Sequence, residues 1–272
     1  MEEKRQRLVI SLSALCLAVA VMSGFDYYVL ALQWPGTVCR QTSHCCSSNG
    51  CCRSHPLKFF TIHGLWPQYS YGGWPSCCRP TTFDGNKVAA NHPSYLQNGI
   101  LISRLKTILE EYWPSLYCGS FSTCFGGKRP FWVHEWAETH GTCGYPEIQD
   151  EYDYFSTALY LYSKYNVTKA LKKAHIYPRG GRKYLVGHIV SAIEFSFGAM
   201  PSIVCKNGSV QELRLCFHKD YQPRDCLVEG ENSVRRNHCP RYVTLPSYKP
   251  HAFGNSTEGI SNQVNVEHQS YQ

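Results

Sequence analysis

The sequence predicts an α+β domain, an antiparallel sheet packed with several helices and rich in disulfides. Three observations carry that expectation. Branched and aromatic runs of strand length lie near both ends of the chain, apolar residues recur at helical spacing between them, and fourteen of the fifteen cysteines follow Cys16. An even number of thiols permits complete pairing, and so many would be unusual in the cytosol but are ordinary in an oxidising lumen.

The chain opens with Lys4, Arg5 and Arg7, an apolar run from Leu8 to Met22, and the small residues Ser23-Gly24. This is the pattern of a secretory signal peptide. The run is too short and too close to the start for a membrane span, and no later stretch is apolar for long enough. Residues 1–23 are therefore expected to be a signal peptide, 24–249 one domain and 250–272 a polar flexible tail. No Pro/Ser/Gly-rich linker divides the middle of the chain. The expected destination is the secretory pathway, extracellular or in the vacuole or endoplasmic reticulum lumen, as a monomer that is not inserted in a membrane after cleavage.

Taken in order, Phe25 to Trp34 reads as a strand that stops at Pro35-Gly36, and Phe59 to Ile62 as a second strand delivering His63 at its end. Ile100, Leu101, Leu105, Ile108 and Leu109 mark a helix from Leu96 to Tyr112, halted at Trp113-Pro114. Phe131 to His140 reads as a helix, and Tyr154, Leu159, Leu161 and Tyr162 belong to another before Asn166. Ile189, Ala192, Ile193 and Phe197 give a further long helix. Val210 to Phe217 alternates as a strand, and Tyr242 to Leu245 closes the sheet.

Two segments concentrate the chemistry. Phe59-Phe60-Thr61-Ile62-His63-Gly64-Leu65-Trp66-Pro67, and Phe131-Trp132-Val133-His134-Glu135-Trp136 followed by His140-Gly141-Thr142-Cys143, each join histidine to aromatics and glycine. Histidine serves as acid or base near neutral pH, so one imidazole from each segment can work on opposite sides of a phosphate. The formal charge of +7 favours a polyanion, as weak support. No metal or cofactor is expected. The Cys45-Cys46, Cys51-Cys52 and Cys77-Cys78 pairs lack zinc-finger spacing, and His134-Glu135 has Glu138 where a zinc protease needs its second histidine. Asn166, Asn207 and Asn255 head N-glycosylation acceptor triplets. His55, His92, His175, His188, His218, His238, His251 and His268 lack comparable surroundings, and Lys169, Lys172 and Lys173 read as a solvated helical face.

These residues carry a resemblance. Phe60 to Pro67, and His134-Glu135-Trp136 with His140-Gly141-Thr142-Cys143, resemble the two active-site segments of the ribonuclease T2 family. Gln33-Trp34-Pro35-Gly36, Trp74-Pro75-Ser76-Cys77-Cys78, Tyr112-Trp113-Pro114-Ser115-Leu116 and Pro223-Arg224-Asp225-Cys226 extend the similarity to plant class II, vacuolar-type members. The resemblance implies a ribonuclease T2-like fold and an endoribonuclease acting on single-stranded RNA through a 2′,3′-cyclic phosphate, without metal. It makes His140 the base and His63 the acid, with Glu135 and His134 at the phosphate. Trp66, Gln68 and Phe131 are implied base contacts, and packing in the core is the competing role for Phe131 and Trp66. DNA, lacking the 2′-hydroxyl, should not be cleaved. The resemblance also pairs Cys39 with Cys45, Cys77 or Cys78 with Cys143, Cys205 with Cys239 and Cys216 with Cys226.

One departure matters. The family's second segment reads His-Glu-aromatic-x-Lys-His-Gly, whereas here one extra residue intervenes and Thr139 replaces the lysine. Losing one preorganised stabilising group costs on the order of 10²–10³ in rate in other enzymes. Lys128 or Arg129 is expected to restore part of the charge. On an α-helix, residues four apart differ in direction by roughly 40° and residues five apart by roughly 140°. A local irregularity, a π-bulge or an early helix end, is therefore expected between Trp136 and His140. The alternative function is a catalytically impaired, secreted RNA-binding glycoprotein on the same scaffold.

Overall fold

The computed structural model describes residues 24–42, 45–46, 49–78, 83, 105–118, 120–121, 128–129, 131–226 and 239–247. The expected signal peptide, polar tail, Asn255, His92, His238, His251, His268 and the helix turns at 96–104 lie outside the described residues.

Seven strands build the main sheet: β1 (Tyr27–Gln33), β2 (Thr61–Gln68), β5 (Lys183–Leu185), β6 (Ser202–Lys206), β7 (Ser209–Phe217), β8 (Pro223–Arg224) and β9 (Tyr242–Thr244). Two short strands, β3 (Ser120–Phe121) and β4 (Lys128–Arg129), pair separately. The order β2-β1-β7-β9-β5 is antiparallel except at Ser209 and Thr244, which meet in parallel. β1 has a strand on each side and is buried along its length, as its unbroken Tyr-Tyr-Val-Leu-Ala-Leu composition requires. Asn207 and Gly208, with φ of 50° and 72°, close the β6–β7 hairpin, a turn that needs left-handed backbone at both positions.

Period-2 alternation separates the sheet into two faces. Tyr28, Leu30 and Leu32 of β1, Ile62 and Leu65 of β2, and Leu213, Leu215 and Phe217 of β7 join the principal core. Helices cover that face: α1 (Leu105–Tyr112), α2 (Glu151–Lys164), α3 (Val167–Lys173) and α4 (Val186–Phe197). α2 buries Tyr154, Phe155, Ala158, Leu161 and Tyr162, a stripe at helical spacing, and Asp150 caps its start by accepting from the Asp153 N–H. Its tyrosines also hold β2: the Tyr162 hydroxyl donates to the Phe60 carbonyl at 2.7 Å, and the Leu65 N–H donates to the Tyr154 hydroxyl at 3.3 Å. Lys169, Lys172 and Lys173 are exposed on α3, and His55, His175, His188 and His218 are exposed as expected of solvated groups.

β2 differs from the expectation that His63 ends a strand. The strand runs on to Gln68, and His63 is the extra residue of a β-bulge, since Ala31 opposes Gly64 while Leu32 opposes Ile62. A bulge re-aims the side chain it releases from the ladder. The His63 carbonyl accepts from the Trp113 indole at 2.9 Å, and the Trp113 carbonyl in turn accepts from the Trp132 indole at 2.8 Å. Buried Trp113 and partly buried Trp132 thus satisfy backbone that the bulge and the end of α1 leave open.

Six disulfides join described cysteines. Cys78–Cys143, Cys205–Cys239 and Cys216–Cys226 agree with the expected pairing, and Cys77 is disulfide-bonded as well. The expected Cys39–Cys45 bridge is corrected: Cys39 pairs with Cys51, Cys45 with Cys52 and Cys46 with Cys118. Cys39 and Cys51 are both buried in one small apolar cluster with Val38, Leu57 and Leu116, while Cys45 stands exposed beside it. No described helix is long and apolar enough to cross a membrane.

Candidate active site

The second face of the sheet presents a small lattice of functional side chains. Across β2, β1 and β7, Trp66 lies opposite Val29 and Cys216, Gly64 opposite Ala31 and Arg214, and Thr61 opposite Gln33 and Glu212. The middle row has almost no bulk at Gly64 and Ala31, which opens a floor between the flanking side chains. A Cβ on Gly64 would collide with the Trp66 indole nitrogen and the Glu135 carboxylate, so glycine is needed for that close approach.

The second segment arrives over this floor from the side. Phe131–Val133 forms one α-helical turn, and His134–Thr139 continues as a π-helix ending at His140, whose backbone is no longer helical. The His140 N–H donates to the Glu135 carbonyl five residues back, so the wider turn absorbs the extra residue. The irregularity expected near Trp136 is present and begins two residues earlier, at His134. Gly141 then packs directly on the Trp136 ring, where a Cβ would clash, and Cys143 is tethered to Cys78 just beyond.

These paths bring the two histidines together around one indole. The Trp66 ring centroid is 4.9 Å from that of His63 and 5.0 Å from that of His140. Phe131 stacks on His63 from the other segment, at 6.1 Å with 13° between the planes. It is also buried in the core, which meets the packing role considered for it. Trp66 is half-buried, and its indole N–H donates to Glu135 at 3.0 Å. Gln68 stands two residues beyond on the same strand face, half-buried at the end of β2. His134 is half-buried on the first π-helical residue, close enough for its charge to act on both Glu135 and His140. Lys128 and Arg129 lie on β4, immediately before this segment.

The two imidazoles sit in opposite electrostatic environments. Burial of His63 disfavours its charged form, but the hydrogen bond and charge of Glu212, with the charge of Glu135, outweigh that and raise its pKa. His140 is pushed well below the ordinary histidine value, first by burial and then by His63 and His134. Its buried Nδ1 has no hydrogen-bond partner among the described residues. Glu135, 2% exposed, is raised by burial, in part offset by His63, the Trp66 indole and His134. The site therefore pairs one histidine shifted toward holding its proton with one shifted toward giving it up.

Sequence reasoning missed Glu212 and Arg214. Glu212 Oε2 lies 2.7 Å from His63 Nδ1, and Arg214 Nε donates to Glu212 Oε1 at 2.7 Å. The signal was available: two opposite charges at i, i+2 in an otherwise apolar central strand must share the face that is not core.

The chain is similar to known ribonucleases. The model of the ribonuclease T2 family matches residues 25–226. Ribonuclease 1 of Arabidopsis thaliana is 35% identical over 215 residues, covering 77% of this chain and 83% of the relative. Among solved structures, trichomaglin, described as a novel S-like ribonuclease, is 42% identical with a TM-score of 0.71, covering 83% of this chain and 99% of its own. RNase NT in complex with 5′-AMP is 32% identical with a TM-score of 0.63, covering 82% of this chain and 99% of its own.

Proposed function

Since the chain belongs to the ribonuclease T2 family and is an endoribonuclease of that type, we propose that it cleaves single-stranded RNA by metal-free transphosphorylation between His63 and His140. The observation that supports this most is the pair of opposite pKa directions on two imidazoles flanking Trp66.

His140, held neutral, takes the proton of the ribose 2′-hydroxyl as the oxygen attacks phosphorus. His63, held protonated, gives its proton to the 5′-oxygen as the P–O5′ bond breaks, and a 2′,3′-cyclic phosphate is left. Negative charge grows on the non-bridging oxygens during attack. Glu135, buried beside Trp66 and His134, lies where that charge develops, and its carboxyl pKa is raised by burial. His134 adds a second contact for the phosphate. Trp66, Gln68 and Phe131 bind bases, and stacking on an aromatic is worth roughly 1–3 kcal/mol per base with little sequence preference.

The protein acts in the secretory pathway, extracellularly or in the vacuole or endoplasmic reticulum lumen, as a glycosylated monomer. The leader at 1–23 and the disulfides support this route. Asn166 and Asn207 are exposed. Asn166 uses Oδ1 to cap α3, which leaves the amide nitrogen for a glycan.

The test is cleavage of homopolymer RNAs by the secreted protein in chelator, beside His63→Ala. Accumulation of 2′,3′-cyclic phosphate, lost in the variant and absent with DNA, is expected. RNA binding without cyclic product in the unaltered protein would favour the impaired scaffold instead.

A further inference from the structure

β7 crosses the centre of the sheet, and its two charged residues face the site rather than solvent. Glu212 is 6% exposed, and both of its oxygens are engaged, one with His63 and one with Arg214. We propose that Glu212 is a positioning residue for the leaving-group proton: it fixes the His63 ring through Nδ1–H, leaving Nε2 for the scissile phosphate, while Arg214 locks the carboxylate in place. This rests on the reading of His63 as the acid.

The register explains why this reach is possible. Glu212 stands one row from the bulge that releases His63, and Arg214 stands across Ala31 from Gly64, so no large side chain fills the row between them and β2. Phe131 stacks on the imidazole, and Glu212 holds its edge, which defines both the plane and the rotation of the ring. A carboxylate accepts only, so the Nδ1 proton is assigned to His63 and its tautomer is set.

The groups facing the imidazole are Glu212 and Arg214 from β7, Glu135 from the π-helix, and His140 at its end, with Tyr117 acting on Glu212. The two β7 residues pull in opposite directions. Glu212 favours the protonated ring, while Arg214 opposes it, both directly and by sharing the carboxylate. A general acid must hold its proton until attack and then release it, so a tempered carboxylate suits the task better than a bare one. Arg214 also places its guanidinium 5.5 Å from the Trp66 ring centroid, which fixes it on the floor of the site.

The experiment compares Glu212→Gln, Glu212→Asp and Arg214→Met with the unaltered enzyme on two substrates. One is an oligoribonucleotide, whose alkoxide leaving group needs a proton. The other is a nucleoside 3′-(4-nitrophenyl phosphate), whose phenolate leaves without one. For Glu212→Gln we expect kcat on RNA to fall roughly 10–100-fold, with KM little changed and the alkaline limb of the pH profile moved to lower pH. Cleavage of the aryl ester should stay near the unaltered rate, and Glu212→Asp should recover part of the loss. Arg214→Met should move the alkaline limb the other way, which keeps the inference testable if Glu212→Gln does not fold. Equal losses on both substrates, or an unmoved limb in every folded variant, would overturn it. If His63→Ala itself cleaves RNA normally, the reading of the acid fails first, and that outcome is distinct.

Discussion

At the scale of single residues, the site depends on what is missing as much as on what is present. Gly64 has no side chain, and so Trp66 and Glu135 can hydrogen-bond over the strand. Gly64→Ala is expected to push that pair apart while leaving the core face of β2 intact. A displacement of about 1 Å in a catalytic group can cost on the order of 10²-fold, so kcat should fall by that order with the unfolding temperature little changed. Steady-state kinetics beside a thermal melt checks this. His63, His134, Glu135 and His140 were legible from residue type and local pattern. The charges of Glu212 and Arg214 two residues apart marked the face away from the core, but the pairing of Glu212 with His63 was not legible, because the two are 149 positions apart and only the sheet register brings them together.

At the scale of elements, the π-helix and the bulge perform the same service in different structures. Each inserts one residue into a regular ladder and so redirects a histidine, His140 in one case and His63 in the other. The first was legible because the spacing from Glu135 to His140 is incompatible with a regular α-helix. The second was not, since β2 reads as an ordinary strand and its extra residue shows only against β1. Deleting Glu138 should turn the π-helix into an α-helix of the family's spacing and keep His140 in place. Adding Thr139→Lys to that deletion should then raise kcat about tenfold or more, by returning a cation to the phosphate. Rates of the deletion with and without the substitution measure this. A deletion that abolishes activity in a folded protein, or an added lysine that changes nothing, would go against it.

At the scale of the whole molecule, the sheet's two faces divide the work. One face is sealed by α1, α2, α3 and α4, and the other is kept for chemistry, with crosslinks securing the loops that reach it. Strands β1, β2, β7 and β9 and helices α1, α2 and α4 followed from periodicity, whereas the short strands β5, β6 and β8 did not. Nor did the Cys39, Cys45 and Cys46 connections, because three cysteines within eight residues offer no sequence basis for choice. Cys78–Cys143 closes a separation of 65 residues directly after the catalytic segment. Replacing both cysteines with serine should lower stability by about 2–4 kcal/mol. Under conditions where the variant is still folded, activity should already be reduced, because His140 loses its anchor. Denaturant titration and kinetics on the same sample would show it.

Two imidazoles are tuned in opposite directions, and the pH dependence of kcat/KM on an oligoribonucleotide reads both. His140, with its pKa lowered, must be neutral, so activity should rise on a limb below the ordinary histidine value of about 6.5. His63, with its pKa raised, must be protonated, so activity should fall on a limb above that value. The expected profile is a bell whose alkaline limb disappears in His63→Ala, with whatever residual activity is left. A profile with both limbs on the same side of the ordinary value, or an alkaline limb that survives His63→Ala, would contradict it.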